Sequence, residues 1–112
     1  MIFIIQGCYT RDALSGMVAA PEDRAKEAKR LIEAAGGKFI ASYFTLGAFD
    51  FMVISEFGDL RSVTPALIAA AAGGSLSSMQ TTAAMSWSDG REAFAAASKL
   101  AKSFKSAGRK KK

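Results

Sequence analysis

The chain has 112 residues, half of them hydrophobic, and a formal net charge of +5; this fits one domain with its own core and excludes a disordered or multi-domain polypeptide. One cysteine and no histidine exclude an intrachain disulfide, multi-thiolate metal sites and most zinc, haem and non-haem iron arrangements. Lys99, Lys102, Lys105, Arg109, Lys110, Lys111 and Lys112 are seven cations with no acid among them, so against a total of +5 the rest of the chain is net acidic by two.

Ile2 to Tyr9 reads as a first strand with both parities filled, Ile2, Ile4 and Cys8 against Phe3, Ile5 and Tyr9. Such a strand needs cover on both faces. The run MIFIIQGCYT lacks a basic n-region and meets Arg11 and Asp12 before it can act as a signal segment, and no other stretch approaches the roughly 20 apolar residues of a membrane span. The expected location is the cytoplasm, with no membrane partner. Thr10 to Ala20 reads as a connection. The first helix opens at Pro21, with Glu22 and Asp23 where the helix dipole favours acids. Ala25, Ala28, Leu31, Ile32 and Ala35 form its buried stripe, its mixed outer charges form a solvated face, and Gly36-Gly37 stops it.

The second and third strands are expected over Lys38 to Leu46 and Asp50 to Phe57, again apolar on both parities, joined by a short hairpin at Gly47-Ala48-Phe49 in which Gly47 can take a positive φ. A turn over Asp59 to Val63 then leads into a helix with Thr64 at its N-cap and Pro65 at its first position, since proline breaks a helix already a turn old. Gly73-Gly74 ends it. Ser75 to Trp87 gives a fourth strand, with Met79, Ala83, Met85 and Trp87 on one parity opposite Ser78, Gln80, Thr82 and Ser86. A third helix follows from about Arg91 to Phe104, striped by Phe94, Ala97, Leu100, Ala101 and Phe104. The expected division is a domain over 1–90, an amphipathic helix over 91–107 and a disordered basic tail over 108–112.

The order strand, helix, strand, strand, helix, strand is the split β-α-β pattern of ferredoxin-like α+β folds, an antiparallel sheet with two helices on one face. That layout leaves the other face bare, although strands one to three are apolar on both parities. Pairing that face with a second copy buries it, which predicts a homo-oligomer built as a dimeric α+β barrel.

Gly47-Ala48-Phe49-Asp50, the apolar first strand ending in Gly7 and Tyr9-Thr10, Pro21 with Arg24, Gly36-Gly37-Lys38 and Asp50-Phe51 together resemble the GYD-domain family, named for a Gly-Tyr-Asp signature. Phe49 stands in place of the tyrosine. The resemblance covers roughly residues 2 to 90. It implies the dimeric α+β barrel fold more than any activity, and the missing phenol removes any role that needs the hydroxyl. A similar Gly-x-aromatic-Asp turn occurs in the effector-binding domains of Lrp/AsnC-type regulators, a parallel of fold and turn only.

Asp50, between Phe49 and Phe51, is the most singular polar residue. It reads as a turn-holding acceptor of backbone N–H groups, with Gly47 and Phe49 as its turn partners, or more sharply as a ligand contact or general base at the barrel rim. Cys8 reads as an inert thiol, because no histidine is present to make a thiolate. Gln6, Ser78, Gln80 and Thr82 are polar residues that can line a chamber between two sheets or bond across a dimer seam. Tyr43 is a packing aromatic or a wall of that chamber. No phosphate loop, nucleophile elbow or metal-ligand set occurs, and Gly36-Gly37 and Gly73-Gly74 follow helices rather than precede them. No metal and no cofactor are expected. The leading reading is a homo-oligomeric small-molecule-binding or accessory and regulatory module. Its rival is a cofactor-independent enzyme of the same fold, of oxygenase or isomerase type. Nucleic-acid contact is confined to weak, nonspecific attraction by the basic tail.

Overall fold

A computed structural model describes residues 1–108. The chain runs β1 (Ile2–Tyr9), α1 (Arg11–Ala19), α2 (Arg24–Ala34), β2 (Lys38–Phe44), β3 (Phe51–Glu56), α3 (Leu60–Ala72), β4 (Leu76–Ala84) and α4 (Trp87–Ala101). All strand pairs are antiparallel, and the sheet order β2-β3-β1-β4 with α2 and α3 on one face is the ferredoxin-like arrangement expected from the sequence.

Alternation along the strands decides which face is core. Phe3, Ile5 and Val53 point toward the helices and are buried with Ile32 of α2, Val63 and Ala66 of α3, and Phe57. Phe3 and Phe57 meet edge to face at 6.3 Å between ring centroids. The opposite parity, Ile2, Ile4 and Gln6 of β1 with Met52 and Ile54 of β3, lies on the face that carries no helix. Tyr43 is brought to that face by pairing with Met52. Two bulges interrupt the ladders, between Phe39 and Ala41 of β2 and opposite Cys8 and Tyr9 of β1.

Several elements differ from the sequence expectation. The helix read as opening at Pro21 opens at Arg24, because the Asp23 carboxylate caps it by accepting from the Ala25 N–H. The segment read as a connection contains α1, because the Thr10 hydroxyl caps it by accepting from the Ala13 N–H at 3.1 Å. The helix read as starting at Thr64 starts a turn earlier, at Leu60. Asp59 holds that first turn, its Oδ1 accepting from the Ser62 N–H at 2.8 Å and the Ser62 hydroxyl at 2.6 Å. Pro65 is exposed in the second turn, where its missing N–H costs one bond to the carbonyl of Arg61, an exposed residue. The fourth strand ends at Ala84 rather than Trp87, and α4 begins at Trp87 rather than Arg91, because the Ser86 hydroxyl accepts from the Asp89 N–H at 3.1 Å. The expected basic tail lies mostly outside the described residues.

No residue of α4 is buried. The molecule measures 65 × 31 × 22 Å with a radius of gyration of 18.8 Å, against about 13 Å for a compact domain of about 100 residues. Thus α4 stands away from the sheet with Phe94 and Leu100 of its stripe, and Phe104 beyond it, exposed.

Ser55 is the exception in the core. It is fully buried, and its hydroxyl has no hydrogen-bond partner. Ser55→Ala should therefore leave stability unchanged or raise it by up to about 1 kcal/mol, since it removes an unpaired polar group at little cost in volume. Urea unfolding tests this, and a loss of stability on removing the hydroxyl would show that it is bonded after all.

Candidate functional site

The turn between β2 and β3 is bonded to the end of β1. The Asp50 N–H donates to the Gly7 carbonyl at 2.8 Å, and the Asp50 Oδ2 accepts from the Tyr9 N–H at 3.0 Å. Thr45 closes the turn from the other side, its N–H donating to the Asp50 carbonyl at 2.8 Å and its hydroxyl to the Phe49 carbonyl at 2.7 Å. Gly47 has a φ of 155°. Asp50 is thus bonded to the backbone at the end of β1, and these bonds define its position.

The other sequence candidates fall on the helix-free face. Gln6 pairs with Gln80, Cys8 with Ser78, and Thr82 with Ile4, so the polar parity of β4 does meet Gln6 and Cys8. The Cys8 thiol lies 3.4 Å from the Ala48 carbonyl, to which it donates. Tyr43 is more than half exposed on the same side. Among the described residues no three His, Cys, Asp or Glu side chains are grouped as metal ligands, and no helix is long and apolar enough to cross a membrane.

A cavity of about 360 Å³ opens on the other face, between α2, α3 and the sheet. Ile5, Phe51 and Val53 form its floor, Leu31 and Leu67 belong to its helical walls, and Met79 and Leu76 close it along β4. None of Gln6, Cys8, Tyr43, Asp50, Ser78, Gln80 or Thr82 borders it. A second hollow of about 290 Å³ lies between α1 and the start of α2, and Tyr9, Arg24 and Ser75 line both. Those three residues converge where the hollows meet.

Their positions follow from local structure. Tyr9 is the last residue of β1, its ring packed against Phe51 at 5.2 Å. Arg24 is the first residue of α2, set by Asp23, whose Oδ1 accepts from the Ala25 N–H at 2.9 Å. Ser75 follows α3, and its carbonyl accepts from the Thr10 N–H at 2.8 Å. The sequence reading assigned Tyr9 to strand packing and Arg24 to a solvated face. The available signal was Pro21 with Arg24 beside Tyr9-Thr10, but no periodicity shows that a strand end and a helix start converge.

Burial pushes the Tyr9 phenol above its ordinary pKa of 10.0; the Arg24 guanidinium beside it partly offsets this, while Asp50 and Glu22 add to the rise. A folded-state pKa raised in this way gives stability that is whole below pH 10.0 and is lost as pH rises through the folded value. In a Tyr43→Phe chain Tyr9 is the only tyrosine, so its phenolate absorbance should appear with a midpoint above pH 10.0. A midpoint at or below that value would mean that Arg24 outweighs burial.

An antiparallel β2-β3-β1-β4 sheet with two helices on one face and a cavity beneath them defines a ferredoxin-like α+β protein. Within that class the chain belongs to the GYD domain family, whose model matches residues 3–94. The match takes in the turn, every residue around the cavity and the first half of α4. No curated protein matches the chain.

Proposed function

We propose that the protein is a small-molecule-binding module that works as a homo-oligomer, with the cavity between α2, α3 and the sheet as its ligand site. The observation that carries this reading is the cavity itself, whose size and largely apolar walls with a few polar groups among them match those of small-molecule sites. Self-association is supported by the helix-free sheet face bearing the half-buried Ile4, Met52 and Ile54 and by the exposed α4 stripe, apolar surfaces of the kind that mark interaction sites. A second copy of the chain, placed sheet against sheet, covers the first of these without exposing new backbone edges. A regulatory or accessory role is exercised through the bound molecule.

Two measurements test the reading together. Sedimentation at micromolar concentration should give an oligomer that Ile4→Lys with Ile54→Lys dissociates to a folded monomer, because both charges enter the paired face. Native mass spectrometry of the purified protein should show a retained small molecule that Leu67→Trp, which fills the cavity, excludes. A wild-type monomer that stays soluble would overturn the assembly, and equal ligand retention by the Leu67→Trp chain would overturn the site.

A further inference from the structure

We propose that the cavity takes an amphipathic monocarboxylic acid, with its tail among Leu31, Leu67 and Met79 and its carboxylate at Arg24, Tyr9 and Ser75. This rests on the reading of the cavity as the ligand site and goes on to name the chemistry of its occupant.

The inner chamber has room for about twelve non-hydrogen atoms, taking for each the roughly 30 Å³ that a water occupies in the liquid. Its floor and most of its walls are aliphatic and aromatic, with Glu27, Arg30 and Ser42 also on its border, which suits a hydrocarbon tail. Its polar end is rich in donors. Neither the Tyr9 hydroxyl nor the Ser75 hydroxyl donates a hydrogen bond among the described residues, and Arg24 supplies a planar guanidinium next to the phenol. A guanidinium with two hydroxyl donors, facing the mouth of an apolar chamber, is the donor set a carboxylate requires.

Glu27 borders the cavity but is bonded to Arg30, whereas Glu22, at the second hollow, is paired with Arg24 itself, its Oε1 lying 3.1 Å from Arg24 Nη1. Both side chains are exposed, at 42% for Arg24 and 52% for Glu22, and such surface pairs are weak. Glu22 therefore stands in for the ligand carboxylate and yields to one delivered by a tail that is buried in the chamber. An alcohol of the same length gains the burial but cannot pair with Arg24. An inorganic anion can pair with Arg24 but has no tail.

Calorimetric titration of the full chain with octanoate, 1-octanol and inorganic phosphate tests the proposal. Octanoate should bind, 1-octanol at least tenfold more weakly, and phosphate not measurably. Arg24→Gln should cost octanoate tenfold or more in affinity and leave 1-octanol unchanged, whereas Lys29→Gln, which removes the same charge away from the cavity, should change neither. Glu22→Gln should tighten octanoate binding several-fold, a gain that damage to the fold cannot mimic. Equal binding of octanoate and 1-octanol, with no response to Arg24→Gln or Glu22→Gln, would overturn the acid while keeping the cavity as a ligand site. Absence of binding by both, in a chain that retains some other small molecule displaced by Leu67→Trp, would likewise overturn it. If Leu67→Trp leaves octanoate binding unchanged, both readings fail.

Discussion

Gly7→Ala should destabilise the protein by about 1–3 kcal/mol, and Gly7→Val by more, even though alanine and valine are better strand formers than glycine. A methyl group at position 7 would come within 2.6 Å of the Ser78 carbonyl oxygen and 2.7 Å of the Phe51 ring. The carbonyl belongs to the neighbouring strand and cannot retreat without breaking the β1–β4 ladder. The ring can retreat, but only by leaving its contact with Tyr9 and the floor of the cavity. The two substitutions should therefore lose ligand retention along with stability. Urea unfolding of both variants measures the effect, and a Gly7→Ala chain as stable as the wild type would show that β1 and Phe51 are less tightly joined than their spacing implies.

Removing α4 should have the opposite profile. Since α4 has no buried residue, a chain ending at Ser86 should fold with nearly the stability of the full chain when dilute. Its loss should be felt in self-association, because Trp87, Phe94 and Leu100, exposed at 86%, 72% and 70%, are apolar anchors of the kind that dominate interfaces. The expected result is a weakening of association by at least about a hundredfold, the equivalent of roughly 2.8 kcal/mol, while a chain ending at Ala107 behaves as the wild type. An unfolded Ser86 truncation would show that α4 supports its own domain instead. Unchanged association would remove α4 from the interface.

The sheet was legible in the sequence because its strands carry their burial in the side chains themselves. Ile2 to Tyr9, with both parities apolar, announced both the strand and the two faces it must satisfy, and the parity of Ser78, Gln80 and Thr82 placed them with Gln6. The helix starts were less legible. Thr10, Asp59 and Ser86 each cap a helix through one side-chain oxygen, a local signal that competes with the stronger appearance of a loop, a proline or a continuing strand. At Asp59 the cap outweighed Pro65, because a proline in the second turn of an exposed helix loses one ladder bond and leaves the rest intact. The cavity was least legible. Its polar end is made by Tyr9 at the end of β1 and Arg24 at the start of α2, and only the three-dimensional path of α1 between them brings the two side chains together.

Neighbouring residues of a strand point to opposite sides, and at the end of β1 this gives Cys8 and Tyr9 different surroundings across a single peptide bond. Cys8 belongs to the helix-free face and is held by the Ala48 carbonyl; Tyr9 belongs to the cavity, and its N–H is held by Asp50. Both restraints come from the same six-residue turn. One short turn is therefore fastened to the backbone that carries the Tyr9 ring and to the thiol on the opposite surface of the sheet, so the two faces share a single anchor.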